Sequence, residues 1–247
     1  MKKFVHLRNY TQYSLSKGAL RLNDLAKFCL NNRFPAISIS DFDNLFGALE
    51  FSLECRNFGI QPIIGCNLYL KSKKFDDGYV LLMCKDKVGY QNLLALVSKS
   101  YLVNSDYSNP YITFDDLAHY NQGLICFAGG EFGIINKNLS KNKDTAKSLI
   151  DYFRKIFKDD FFIEVQKTNS KLCLSANDFL VNVSLDSDIP IVATNENFFL
   201  ESDFYDSHDT LLCISQQKYI DSEDRIRSSK DFYIKSSDEM YNLFSDL

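Results

Sequence analysis

Ser40-Asp41-Phe42-Asp43-Asn44-Leu45-Phe46-Gly47-Ala48-Leu49-Glu50-Phe51 leaves a short apolar run and enters a helix. The run before it, residues 36–40, follows Pro35, which marks an exit from helix into extended chain. It reads as a buried strand. Residues 47–58 read as a helix that stops at Gly59, a residue suited to a left-handed C-cap. Strand, polar loop and helix make one β–α step, and the loop carries Asp41 and Asp43 two residues apart.

The same step recurs along the chain. Apolar runs at 4–7, 36–40, 63–70, 79–84, 124–128, 161–166 and 191–194 have the continuous character of strands covered on both faces. Between them fit helices over 24–32, capped by Asn23, and over 47–58 and 88–102, the last with Leu93, Val97 and Tyr101 on one face. Further helices fit 146–157, 172–185 and 203–214, and Ser236-Ser237-Asp238-Glu239 opens a short final one. Such alternation predicts an α/β fold with a parallel sheet. Seven or eight steps in 247 residues favour a TIM-like (β/α) barrel over an open doubly wound sheet, although periodicity does not separate the two. Residues 1–247 read as a single domain, with 100–110 as a long surface loop. In a parallel barrel the chemistry sits on loops after the strand C-termini. Those loops begin near Arg8, Asp41, Tyr69, Lys85, Gly129, Lys167 and Asn195.

Composition narrows the function. With 28 basic and 32 acidic residues the formal charge is -4, which argues against a dominant phosphate-gripping surface. Lys71, Lys73 and Lys74 form a short basic cluster that reads as solvated loop. The seven cysteines include no C-x-x-C pair and lie mostly in apolar runs, as reduced thiols in a cytoplasmic protein do. The N-terminal residues lack a signal-peptide core, and no apolar run approaches the ~18 residues of a membrane span. The 21 Phe and 14 Tyr read as core, because no basic residues interleave with them. Gly129-Gly130-Glu131-Phe132-Gly133 lacks the Lys-Ser/Thr of a phosphate loop and reads as a tight turn.

Several strings at these loop starts carry a resemblance. They are Val5-His6-Leu7-Arg8 with Tyr13-Ser14, Asp41 to Ala48, Gly59-Ile60-Gln61-Pro62-Ile63-Ile64-Gly65-Cys66, Gly89-Tyr90-Gln91-Asn92-Leu93-Leu94, Pro190 to Asn195, and Ser207-His208-Asp209. Together, in this order, they resemble the polymerase and histidinol phosphatase (PHP) domain that opens the alpha subunit of bacterial replicative DNA polymerase III. The resemblance covers essentially the whole chain and implies a distorted seven-stranded TIM-like barrel, here as an N-terminal fragment of a much longer polymerase. Active members hold divalent metals on histidine and carboxylate side chains, which activate water for phosphoester hydrolysis.

Carried over position by position, that ligand set is largely absent. Its positions are occupied by Arg8, Tyr10, Gln12, Phe42, Asn67, Tyr79, Thr168, Glu196 and Phe198, of which only Glu196 is a good ligand. Arg8 is a permanent cation, repels a bound metal, and is expected to pair with Asp41 or Glu196. His6, Asp41, Asp43, Glu196 and His208 remain as a possible residual polar cluster. His6 reads as a hydrogen-bonded core histidine, His208 as a residue that orients a loop, and His119 as surface. Asp41 and Asp43 read as caps of the following helix or partners of Arg8.

The resemblance therefore implies no catalytic residue, metal or cofactor in this domain, with Mg²⁺ confined to the polymerase domain of the full chain. The implied role is a scaffold for the rest of the alpha subunit and a docking surface for the proofreading exonuclease subunit, with DNA met only through the full chain. Two alternatives stay open: a phosphoesterase or 3′–5′ exonuclease keeping one or two metals on Asp41, Asp43, Glu196 and His6, and a free-standing interaction protein.

Overall fold

A computed structural model describes residues 3–102 and 109–247. In chain order its elements are α1 (Leu22–Asn31), β1 (Ala36–Ile39), α2 (Ala48–Asn57), β2 (Gln61–Leu70), β3 (Gly78–Cys84), α3 (Lys87–Leu102), α4 (Phe114–Tyr120) and β4 (Leu124–Phe127). They continue as α5 (Ile134–Leu139), α6 (Lys143–Phe157), β5 (Phe161–Gln166), α7 (Lys171–Ser187), β6 (Ile191–Thr194), α8 (Tyr205–Gln216) and α9 (Ser237–Leu243). The six strands form one sheet in sequential order, β1 to β6. Most of the loop expected at 100–110 lies outside the described residues, and Ser100 to Leu102 are helical.

Two corrections concern the sheet. It is mixed rather than parallel: β2 pairs antiparallel with β3 and β3 with β4, whereas β4–β5 and β5–β6 are parallel. The link from β2 to β3 is too short for a crossover, so a hairpin is the available connection. Between β3 and β4 lie two helices, α3 and α4, and a second reversal brings β4 back antiparallel. Among the described residues the sheet also has six strands, not seven, and residues 4–7 lie in none of them. That segment is extended, but its pairing is sparse: Ser38 N donates to His6 O at 3.3 Å and Asn197 N to Arg8 O at 3.0 Å. The Asn9 amide takes over, donating to the His6 and Ser38 carbonyls at 3.1 and 3.0 Å.

Two compact units make up the fold. The first comprises residues up to Asp41, Phe46–Ile63 and Asn195–Leu247; the second comprises Phe42–Leu45 and Ile64–Thr194. In the first, α1 buries Leu25, Ala26 and Cys29 and α2 buries Phe51 and Cys55. Burial pushes the thiols of Cys29 and Cys55 up to about 12, so they behave as apolar groups. All seven cysteines are free, as expected from their spacing. Helix α1 starts at Leu22, ahead of the expected cap. Asn23 lies inside its first turn and donates to Glu54 Oε2 at 2.7 Å instead. Gly59 adopts the expected positive φ of +68° after α2.

In the second unit, α6 buries Ala146, Leu149, Ile150, Phe153 and Phe157, a stripe at helical spacing. Phe153 stacks on Phe161 of β5 at 5.6 Å. Side chains of this size contribute roughly 1.5–3 kcal/mol each on burial. The buried face of α3 runs through Gly89, Leu93, Leu96 and Ser100, rotated from the expected Leu93, Val97, Tyr101 face. Gly89 sets that rotation, since a Cβ there would collide with the Gly123 main chain. The Gly129–Gly133 segment is the expected tight turn, with Gly133 N donating to Gly130 O at 3.2 Å.

Candidate functional site

In the first unit, Arg8, Tyr10 and Glu196 are all fully buried. Arg8 Nε lies 3.7 Å from Glu196 Oε1, one of the two expected partners. Tyr10 Oη donates to Glu196 Oε2 at 2.5 Å and accepts from the Arg8 guanidinium at 3.2 Å. Burial, then the charge of Glu196, holds the Tyr10 phenol well above its ordinary range, so it stays a proton donor. Phe198 stacks on Tyr10 at 4.4 Å and closes one side of the cluster. Gln12 is exposed on the following turn.

Asp41 caps no helix: the N-cap of α2 is Gly47, and no side chain bonds there. Its carboxylate instead ties the turn after Tyr10. Oδ1 accepts from Thr11 N at 2.7 Å and Ser14 Oγ at 2.5 Å, and Oδ2 accepts from Thr11 Oγ1 at 2.7 Å. The loop approaching from residues 10–14 outcompetes the helix for this acceptor. Desolvation raises the Asp41 carboxyl despite those donors.

Both ring nitrogens of each buried histidine are engaged. His6 Nε2 donates to Lys235 O at 2.7 Å, and Nδ1 accepts from the Asn197 amide at 3.1 Å. Burial lowers His6 to about 4, so the imidazole is neutral. His208 Nε2 donates to Lys17 O at 2.7 Å, and Nδ1 accepts from Ser228 Oγ at 2.6 Å. Burial lowers its affinity for a proton. His119 is exposed.

In the second unit, Asp43 sits at a positive φ of +57°. Its Oδ1 accepts from Tyr69 N at 3.1 Å, and the Tyr79 hydroxyl reaches Oδ2 at 3.4 Å. Burial raises the Tyr79 phenol. Phe42 meets the Tyr79 ring edge-on at 4.9 Å and bridges to Asn67, which is fully buried in β2. Thr168 is buried after β5, and its hydroxyl accepts from Ser170 N at 3.3 Å.

Glu196 faces a guanidinium and a phenol, and the imidazoles of His6 and His208 are committed to carbonyls and hydrogen-bond donors. Among the described residues, no group of three or more His, Cys, Asp or Glu side chains is placed to hold a metal ion.

Other buried polar residues carry structure that the motifs did not reveal. Arg225 forms a twin hydrogen bond with Asp209, at 2.8 and 2.6 Å. Lys235 donates to Asn195 Oδ1 at 3.1 Å and Asp231 O at 2.6 Å. Asp209 belongs to a recognisable string, but no local signal marks Arg225 as its partner.

The PHP domain family profile matches residues 6–168, and the chain belongs to that family. It is 33% identical over 252 residues to DNA polymerase III subunit alpha of Caulobacter vibrioides, covering 99% of this chain and 22% of the relative. It is 35% identical over 257 residues to the same subunit of Borreliella burgdorferi, again covering 99% and 22%. The chain thus spans about a fifth of the length of these relatives. A solved structure from Bifidobacterium adolescentis, assigned as a metal-dependent phosphoesterase, matches with a TM-score of 0.55 over 79% of this chain and 88% of the other. At 10% identity that likeness speaks for the fold alone.

Proposed function

We propose that this chain is the PHP domain of a DNA polymerase III alpha subunit and acts without metal, as a scaffold for the polymerase domains and a docking surface for the proofreading exonuclease subunit. Nucleotidyl transfer, with its Mg²⁺, belongs to the remainder of such a subunit. One observation carries the reading: where the family pattern calls for metal ligands, Arg8, Tyr10 and Glu196 neutralise and hydrogen-bond one another. A buried guanidinium would have to lose its carboxylate before any ion could use that oxygen.

The test is metal content together with turnover. Purified chain, equilibrated with Mn²⁺ or Zn²⁺ and then dialysed, is expected to retain sub-stoichiometric metal. It should hydrolyse neither a phosphodiester ester nor a 3′-labelled oligonucleotide faster than a Glu196→Gln variant. Chelator should leave the melting temperature unchanged. Stoichiometric metal, or Mn²⁺-dependent turnover that the variant loses, would overturn the reading in favour of a residual phosphoesterase.

A further inference from the structure

Two buried amide oxygens in the second unit meet no hydrogen-bond donor among the described residues: Asn136 Oδ1 on α5 and Asn177 Oδ1 on α7. Asn136 is 2% exposed and Asn177 9%, so bulk solvent does not serve them. Folded proteins leave few acceptors in that condition, because a buried carbonyl without a donor carries its full desolvation cost.

Turning either amide over does not help. Asn177 Nδ2 donates to the Gln166 carbonyl at 3.0 Å, and the reverse orientation would set oxygen against oxygen. Asn136 Nδ2 faces Cys173 Sγ at 3.9 Å. The Cys173 proton has nearer acceptors in Glu131 Oε2 at 3.4 Å and Gln166 Oε1 at 3.6 Å, so the sulfur offers Asn136 a lone pair. Gln166 is fixed in turn: its Oε1 accepts from Glu131 N at 2.9 Å, and its Nε2 donates to Thr194 Oγ1 at 3.0 Å. The acceptors already present thus dictate both amide orientations and leave both oxygens without a donor.

The two amides belong to one cluster. Asn177 lies one turn beyond Cys173 on α7 and bonds to Gln166, while Asn136 reaches the same cysteine from α5. What the cluster lacks is donors. A ligand for it must be small and must present a hydrogen or positive charge to amide oxygen. Neutrality decides between those two: the unpaired groups are uncharged dipoles, and a buried cation is far more costly to desolvate than a neutral donor. Glu131, the carboxylate at the edge, lines a cleft of about 250 Å³ together with Lys137, whose ammonium offsets it.

We propose that internal water is bound between α5 and α7, donating to Asn136 Oδ1 and Asn177 Oδ1 and exchanging with solvent through the cleft beside Glu131. Water brings two donors, and two to four polar partners are enough to hold it. None of the residues that hold it occupies a position of the family's metal pattern, so the site is independent of the scaffold reading.

The experiment is a crystal structure of the protein grown in a rubidium salt, with anomalous data collected at the rubidium edge. Density is expected about 2.7–3.2 Å from each of the two oxygens, with no anomalous signal. In solution, the side-chain amide protons of Asn136 and Asn177 should give cross-peaks to water with the sign of a molecule that outlives tumbling, and the exposed Asn142 amide should not. Absence of density at either oxygen, or of the cross-peaks, overturns the proposal. An anomalous peak there also overturns it, because the occupant would then be a monovalent cation.

Discussion

Arg8 and Glu196 show how one substitution can rewrite a site. An arginine where a ligand is expected brings a charge that cannot be shed, and Glu196 is a carboxylate within reach. Removing one partner strands the other in a medium that solvates it poorly. Glu196→Ala is therefore expected to cost about 3–5 kcal/mol in urea denaturation. Replacing both residues by methionine should recover more than half of that loss, because no unpaired charge then remains. Equal destabilisation by the single and double variants would show that the pair is not what the site depends on. Arg8 was legible as incompatible with metal from its chemistry alone. The bonds of Thr11 and Ser14 to Asp41 were not, because they form through a turn that sequence pattern does not reveal.

The helices were read more faithfully than the strands. Helix α9 begins where its signal lies, with Ser236 Oγ accepting from Glu239 N and the Glu239 carboxylate accepting from Ser236 N at 2.7 Å. Ser236→Ala should lower stability by about 1 kcal/mol, and Ser236→Asp should restore most of it. A comparable box at Thr113 and Asp116 opens α4, a helix that the apolar periodicity passed over because it is only seven residues long. The strands fared differently because their partners are remote. Residues 4–7 have the composition of a strand, yet they lie in no described strand and bond through Ser38 N to His6 O.

For the molecule as a whole, acid should be destabilising before its carboxylates titrate. His6 is held at about 4 against an ordinary 6.5. As pH falls through 6.5 the unfolded chain gains a proton that the folded chain refuses, so stability falls until pH approaches 4. The loss from His6 is on the order of 3 kcal/mol, and His208, lowered by burial, adds in the same direction. Asp41, raised by burial, opposes it toward the acid end of that window. Denaturation measured across the window should show this decline, and His6→Gln should flatten it; a flat wild-type profile would contradict neutral burial of the imidazole. By itself the sequence determined the alternation of strands and helices, the thiols kept in the core and the lack of most ligand types at the family's metal positions, since each depends on residue type or short spacing. Tertiary structure alone decided the strand directions, the pairing of Arg225 with Asp209 and the closure of Tyr10 on Glu196 across 186 residues of chain. Such contacts are chosen by which surfaces pack together, and no local stretch of sequence carries that choice.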